Sequence, residues 1–576
     1  MSARALLIEG ASPPTAGEFD SVFLLNNWAD GDPKAESLPD LVDREADQLQ
    51  IRIVQWLLEL RNALPNGHRA SLHPIFEGNY ATTPEFYLLA QLLVLCQRLK
   101  ALNVVELHYS GSHLGIQTCL DDWCTQNRIQ FSKEKSRRRR GENLRHLVSR
   151  WRKLCQLGCL MLGNSARGLP RKAELEHIFV DYLVGDPLTT YWGPLASEIS
   201  NLHGKSTFVH VYTQHDQIRS IWQARRHLRH LQRQPRSIKE ILVEDLLRPV
   251  DFPRILRDSK LLDPALTTNS RVHVDHWMID GIRADLLFAM VLKRGSRSAS
   301  AVDAIAKCIG FTRLLEAADD NRTLVYLMEN HVWEKALLCA KKSHTGKTIG
   351  VAHTVVRPLD LRYRILARDV DNASSGVRLC PDRIATNGAA TQRMLEHWTE
   401  SDRLFPTEAL RYLHLKQSEK PTSVQPLRVL LAGDLLPTHT ERVFRVVNDV
   451  LTNLKADVTF KPHPAETGDV RIQTSFEFAR SNRPLTDLLS ATDVMIAGSI
   501  TAATAEAIQS NVPVITVVDP CYFNLSPLRG VPSQIFVRDS SDLEQHLKDV
   551  REMNPSRVQP FTIDRSLKRW RALLLD

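Results

Sequence analysis

The stretch DVMIAGSITAATAEAIQSNVPVITVVD, Asp493 to Asp519, decides the fold. Its opening, DVMIAGS, is a near-continuous apolar run stopped by glycine, the pattern of a strand buried on both faces. TAATAEAIQSN then reads as an alanine-rich helix, and VPVITVVD returns to an apolar strand. Strand, helix and strand in succession make a crossover unit, which sets the two strands parallel in one sheet. The alternation repeats on both sides. LRVLLAG (Leu427–Gly433) is a strand ending in glycine, THTERVFRVVNDVLTNL a helix, ADVTFKPHP a strand and PLTDLLSAT a short helix. SQIFVRD adds a strand, and SDLEQHLKDV a helix opened by a Ser/Asp cap. The last third is therefore expected to be a parallel α/β sheet covered by helices on both faces.

HLKQSEKPTSVQP (His414–Pro426) is polar, holds two prolines and lacks an apolar period, so residues 414–426 read as a linker. Upstream, RTLVYLMEN and KTIGVAHTVV are strands around the helix HVWEKALLCAKK, and ALLIEGA, DSVFLLN, NVVELHYSG and HIFVDYLVG are earlier strands. Thr213 to about Ala317 reads as mostly helical, with the Arg/His/Gln-rich segment IRSIWQARRHLRHLQRQPRS. The fold class expected is α/β, two doubly wound domains facing across a cleft. Residues 1–413 form an N-terminal domain with helical insertions, and 427–560 form the C-terminal domain. The segment 561–576, with RSLKRWRALLL, fits either a helix packing back on the N-terminal domain or an ordinary capping helix.

A chain of 576 residues is too long for one core. With 43% hydrophobic and 24% charged residues it has ordinary globular composition, and the net charge of +8 favours anionic partners. Nine scattered cysteines, without zinc-finger spacing or a disulfide-like framework, indicate a reducing compartment. The apolar run in MSARALLIEGASPP is too short for a signal peptide, and FYLLAQLLVLC is too short to span a bilayer. A cytoplasmic protein, at most peripheral to the inner membrane, is expected. The basic run KEKSRRRRG (Lys133–Gly141) fits a solvated loop, an anionic membrane patch or a nucleic-acid contact. Nucleic acid ranks last, because no recognition helix or aromatic platform accompanies the run. P-loop and dinucleotide glycine fingerprints are absent.

Ligands of open parallel sheets bind at the carboxyl ends of the strands. Lys461 and His463 follow a strand directly, in a corner stiffened by Pro462 and Pro464, and suit a phosphate. A strand-ending turn with solvated side chains is the competing reading. One unit later Gly498, Ser499 and Thr501 precede a helix, an arrangement that suits either an anion or a plain cap. Gly433 ends a neighbouring strand, and Glu506 is placed to accept from ribose hydroxyls or to face solvent. On the N-terminal side Glu329 and Asn330 close one strand and His353 the next. His353 is a candidate general base or a structural histidine. Arg357, Arg362 and Tyr363 follow it and suit an anionic acceptor, whereas His331 and Trp333 read as helix start and core.

KPHP followed by TDLLSATDVMIAGSITAATAEAIQSNVPVI resembles the C-terminal nucleotide-binding domain of GT-B glycosyltransferases. The likeness is to bacterial enzymes using cytidine-activated donors, namely the sialic acid and Kdo transferases and the CDP-glycerol glycerophosphotransferases. ENHVWEKAL and GVAHTVVRPLDLRY further resemble surface-carbohydrate (capsule and lipopolysaccharide) biosynthesis proteins, over about Arg322 to Val550. The resemblance implies a metal-independent transferase without cofactor. Its donor phosphate would meet Lys461, His463, Ser499 and Thr501, and its acceptor would be a saccharide or lipid-linked molecule on the N-terminal domain. His353 matches the base of the glycerophosphotransferase group, although Thr354 stands where that group has glycine. The acidic pair of the sialyltransferases is missing. Of the single acids before glycine, Glu9 is best placed as an alternative base. Two alternatives accompany this expectation: glycerophosphate transfer from a CDP donor, and a non-catalytic scaffold or regulator of polysaccharide assembly.

Overall fold

The computed structural model describes residues 3–575 except 10–18, 29–33, 65–66, 135–141, 165–176, 197, 199–205, 215–217, 234–237, 263–273, 319–321, 342–345, 369–377, 416–425, 455, 465–471 and 551–557. Most of the expected linker and the run Arg137–Arg140 thus lie outside the described residues.

Three all-parallel sheets carry the fold. The first joins β1 (Ala3–Ile8), β2 (Ser21–Leu24), β3 (Ala35–Ser37), β4 (Val104–Ser110) and β5 (Gln130–Lys133), in the order β3-β2-β1-β4-β5. The second joins β6 (His177–Tyr182), β7 (Ser206–Val211) and β8 (Lys239–Leu242) to four later strands. Between them lies a short antiparallel pair, β9 (Met278–Ile279) and β10 (Ile282–Arg283). The later strands are β11 (Thr323–Leu327), β12 (Thr348–Ala352), β13 (Arg383–Thr386) and β14 (Leu404–Pro406), and the order is β14-β13-β12-β11-β6-β7-β8. The third sheet holds β15 (Leu427–Ala432), β16 (Ala456–Lys461), β17 (Ala479–Arg480), β18 (Val494–Gly498), β19 (Val514–Val517) and β20 (Ile535–Val537), in the order β17-β16-β15-β18-β19-β20.

Side-chain alternation explains why each sheet is covered twice. Along β15, Val429 and Leu431 enter one core while Leu430 and Ala432 enter another. On β11, Leu324 and Tyr326 face one side, Val325 and Leu327 the other. β1 divides Ala5 and Leu7 from Leu6 and Ile8 in the same way. Apolar residues at every position of a parallel strand have this consequence. The chain is therefore α/β and doubly wound, as expected. The strands of residues 1–413, expected to form one N-terminal domain, divide between two sheets.

In the second and third sheets the chain starts in the middle, winds to one edge, then returns and winds to the other. This is the Rossmann-like order, with a crevice at the switch point between the two central strands. Those crevices lie between β6 and β11 and between β15 and β18. The first domain packs against both others. Its helix Leu38–Ala63 is capped by Ser37, whose Oγ accepts from the Asp40 amide at 3.2 Å. From that helix the Gln50 side-chain amide donates to the Leu359 carbonyl, and Asp43 pairs with Arg529 of the third domain. The last helix, Lys568–Leu575, lies on the second sheet. Trp570 is 1% exposed there, and its indole N–H donates to the Glu408 carbonyl at 2.8 Å.

Candidate functional site

The carboxyl edges of the second and third sheets bring the predicted residues together. β16 ends at Lys461, and Pro462 and His463 follow; β18 ends at Gly498, followed by Ser499, Ile500 and Thr501. Opposite them, Glu329 and His331 follow β11, and His353 follows β12. Arg357 ties the two sides: its guanidinium donates to the Ile500 carbonyl from Nε at 3.1 Å and from Nη2 at 2.7 Å. It was expected to hold an acceptor; the structure places it on the turn at the end of β18.

Positive charge converges on His463. Burial lowers the pKa of its ring; Arg357, Arg411 and Lys461 push the same way, and Asp434 pulls against them. Burial also lowers the Lys461 ammonium, whose Nζ donates to the Arg483 carbonyl at 2.7 Å. Glu506 stands beside Arg411 and Lys461, yet burial raises its carboxyl to about 7. A neutral imidazole pressed by three cations, next to a carboxyl near its midpoint, is a site that an anion would relieve.

The turn after β18 differs from the expected phosphate cradle. Its helix, Ala503–Gln509, has only seven residues, too few for a large dipole. The Thr501 hydroxyl accepts from the Ala503 amide at 3.3 Å, a bond within the turn. The Ile500 amide donates to Asp434 at 3.2 Å. Ser499 is 2% exposed, and its Oγ has no hydrogen-bond partner among the described residues. Gly498 is required by close approach, because a Cβ there would sit 2.7 Å from the Asp434 carboxylate. Gly433 donates its amide to the Lys461 carbonyl at 2.8 Å and so fixes the rim between β15 and β16. The cations, rather than the helix start, carry the positive character.

On the facing edge a chain of charged groups runs through the switch point. Glu77 Oε1 lies 2.6 Å from His331 Nδ1, and His331 Nε2 lies 3.0 Å from Glu329 Oε2. Glu329 Oε1 lies 3.6 Å from His353 Nε2 and accepts from the Thr354 hydroxyl at 3.4 Å. Burial opposes charge on His331, but Glu77 and Glu329 outweigh it and lift the ring to about 10. Burial likewise opposes ionisation of Glu329, yet His331 and His353 hold its carboxyl well below the usual range. His353, 7% exposed, is driven to about 4 by burial, against the pull of Glu329. Its ring stands edge-on to Tyr191 at 5.5 Å, and its Nδ1 is buried without a partner among the described residues. The group is thus a neutral imidazole beside a fixed carboxylate, whose charge is held by an imidazolium.

The other expected residues have local duties. Asn330 adopts a left-handed backbone (φ 61°), and its amide, with those of Glu329 and His331, donates to Glu334. Arg362 is paired with Asp360 at 2.7 Å and reaches His331 at 3.2 Å, so its guanidinium is committed within the edge. Trp333 is core, and its indole donates to the Tyr182 hydroxyl at 2.8 Å. Glu9 lies in the first sheet's own crevice between β1 and β4. It accepts there from the Tyr109 hydroxyl at 2.6 Å and from the Ser112 and His113 amides. None of its hydrogen bonds among the described residues leads to the cleft.

Sequence reading missed Glu77, Arg411 and Asp434. Glu77 lies in a short helical turn, Pro74–Glu77, of the first domain. Arg411 precedes the linker, and Asp434 follows Gly433, the position where a parallel-sheet rim places ligand contacts. A further feature is a cavity of about 200 Å³ between the first and third domains, lined by Trp28, Tyr87, Tyr522, Phe523, Arg529 and Arg538. The Tyr522 ring lies tilted against His439, with ring centres 4.5 Å apart, and His439 Nδ1 lies 3.9 Å from Asp434.

Neither a protein-family model nor a curated protein sequence matches the chain. Among solved structures it is similar to the glycosyltransferase SnogD of Streptomyces nogalater, at 13% identity and a TM-score of 0.37, over 69% of this chain and 99% of that one. MurG of Acinetobacter baumannii aligns at 10% identity and a TM-score of 0.41, over 70% and 99% of the two chains. The UDP-GlcNAc 2-epimerase of Neisseria meningitidis, bound to UDP-GlcNAc, aligns at 11% and 0.41, over 70% and 100%.

Proposed function

We propose that the chain is a GT-B-type glycosyltransferase, moving a sugar from a nucleotide donor to an acceptor hydroxyl in the cleft between the second and third domains. The observation that carries this reading is the convergence of Lys461, Arg357 and Arg411 on His463, facing the His353–Glu329 pair. Breaking the bond to a nucleotide leaves a phosphate with growing negative charge. Cations fixed beforehand at that point stabilise the leaving group without reorganising, a role that a divalent ion fills in other sites. Lys461 and His463 contact the phosphate, Ser499 supplies a hydroxyl, and Glu506 accepts from the ribose.

His353 is the base. It is uncharged at neutral pH and takes the acceptor's proton on its imidazole as the new bond forms. Glu329 positions the ring and stabilises the imidazolium. His353 titrates too low in the free protein for a strong base, and deprotonation depends on the bound donor's negative charge countering Arg411. Following the sequence resemblance, the donor we propose is cytidine-linked, a CMP-activated Kdo or sialic acid. The acceptor is a surface polysaccharide or its lipid-linked precursor.

Incubation with CMP-sugar and UDP-sugar donors, followed by product analysis, tests the reading. A new glycosidic bond, lost in His463→Ala with thermal unfolding unchanged, is the expected result. A phosphodiester product from CDP-glycerol would instead select glycerophosphate transfer. Near-normal turnover in His463→Ala would overturn the site.

A further inference from the structure

Helix Glu142–Asn164 is apolar on two faces. Its inner face, with Leu154, Leu157, Leu160 and Met161, is buried in the second domain's core. Its outer face is exposed. Val148 is 58% exposed, Trp151 61% and Leu162 71%, with Cys155 and Cys159 exposed between them. These positions follow one another at intervals of three, four, four and three residues, which draws one straight stripe along a helix. A second exposed tryptophan stands on a neighbouring helix. Arg225, on the helix Ile221–Leu231, donates to the Asn164 side chain and stacks on Trp222 at 5.4 Å, and Trp222 is 46% exposed.

The flanks of this stripe are basic. Arg145 and Arg152 are exposed beside it on the first helix, and Arg226 and Arg229 on the second. Glu142 is the one acidic residue in the two helices together. The run KEKSRRRRG immediately precedes the first helix in the sequence.

We infer that this face is a docking surface for an anionic phospholipid membrane. An apolar strip with exposed tryptophans sits at the depth of lipid headgroups, and flanking arginines pair with anionic ones. Apolar faces of this extent are seldom left bare on a protein that works alone in water. A second copy of the chain is the poorer occupant, because it would press two arginine-rich faces together. No helix among the described residues is long and apolar enough to cross a membrane, so the protein lies on the surface through this face. The inference stands apart from the transferase reading, since membrane binding is measured without turnover.

Flotation of the full chain with vesicles of phosphatidylcholine alone, or mixed with phosphatidylglycerol, tests it. Binding is expected only with the anionic vesicles and weakens with salt. Trp151→Ser with Leu162→Ser lowers partitioning by about tenfold or more. Arg145→Glu with Arg152→Glu lowers it by about fivefold or more per residue. Both pairs are exposed, so thermal unfolding stays within about a degree or two of the parent. Equal flotation with neutral vesicles, no flotation at all, or unchanged flotation in both variants would overturn the inference. So would a dimer in solution that the Trp151→Ser, Leu162→Ser variant dissociates.

Discussion

Glu77→Gln tests whether the first domain helps to build the edge that holds His353. His331 sits between two carboxylates, at 2.6 Å from Glu77 and 3.0 Å from Glu329. Arg362, at 3.2 Å from the ring, works against its charge, and Asp360 holds that arginine. A ring titrating near 10 instead of 6.5 prefers its charged form by roughly 5 kcal/mol, of which the shorter contact supplies about half. Glutamine keeps the shape and an acceptor but removes the charge, so the variant loses about 2–3 kcal/mol at pH 6. The sign follows from the raised pKa. His331's contribution is complete below pH 6.5 and disappears as pH rises through about 10. Glu77, held down at about 2 by His331 despite its burial, contributes fully above 4.5 and loses that only as pH falls through about 2. Between pH 4.5 and 6.5 both are intact. Urea midpoints read by tryptophan fluorescence should therefore separate parent and variant most at pH 5–6, and the two curves should converge near pH 10. Parallel curves at all pH values would refute the charge chain.

Other consequences are as direct. Glu329→Gln should leave nucleotide affinity unchanged while lowering kcat by about tenfold to a hundredfold, and steady-state kinetics with a binding titration separates the two. Binding an anion raises the depressed pKa of His463 and favours protonated Glu506, so nucleotide binding should take up protons and tighten from pH 8 to 6; calorimetry in buffers of different ionisation enthalpy reads this. Trp570→Ala empties a site 1% exposed and should cost about 3–5 kcal/mol, seen as a lower unfolding temperature. Gly498→Ala forces Asp434 from its place and should weaken nucleotide binding without unfolding the third domain, checked by titration and circular dichroism.

The third sheet was legible because β15, β18 and β19 are near-continuous apolar runs and alternate with amphipathic helices, so periodicity located them, and β16 between them, from the sequence. The rim residues Lys461, His463 and Ser499 followed from strand ends. The division of residues 1–413 into two sheets was not legible. ALLIEGA and HIFVDYLVG look alike as strands, and the sheet that each joins is settled by long-range pairing. Arg357 and Arg362 show the same limit within one motif. Five residues apart, one reaches across to Ile500 while the other folds back on Asp360. Glu77 carries no local mark, because its partner His331 lies 254 positions away.

In the proposed site a donor's phosphate binds between Lys461 and His463 on one edge and Arg357 and Arg411 on the other. Thermal-shift titration of the parent, His463→Ala and His353→Ala with CMP, CDP, UDP and GDP tests it most directly. Stabilisation by at least one nucleotide is expected, with cytidine preferred, lost in His463→Ala and retained in His353→Ala. Stabilisation by none of the four, or equal stabilisation of His463→Ala, would contradict it.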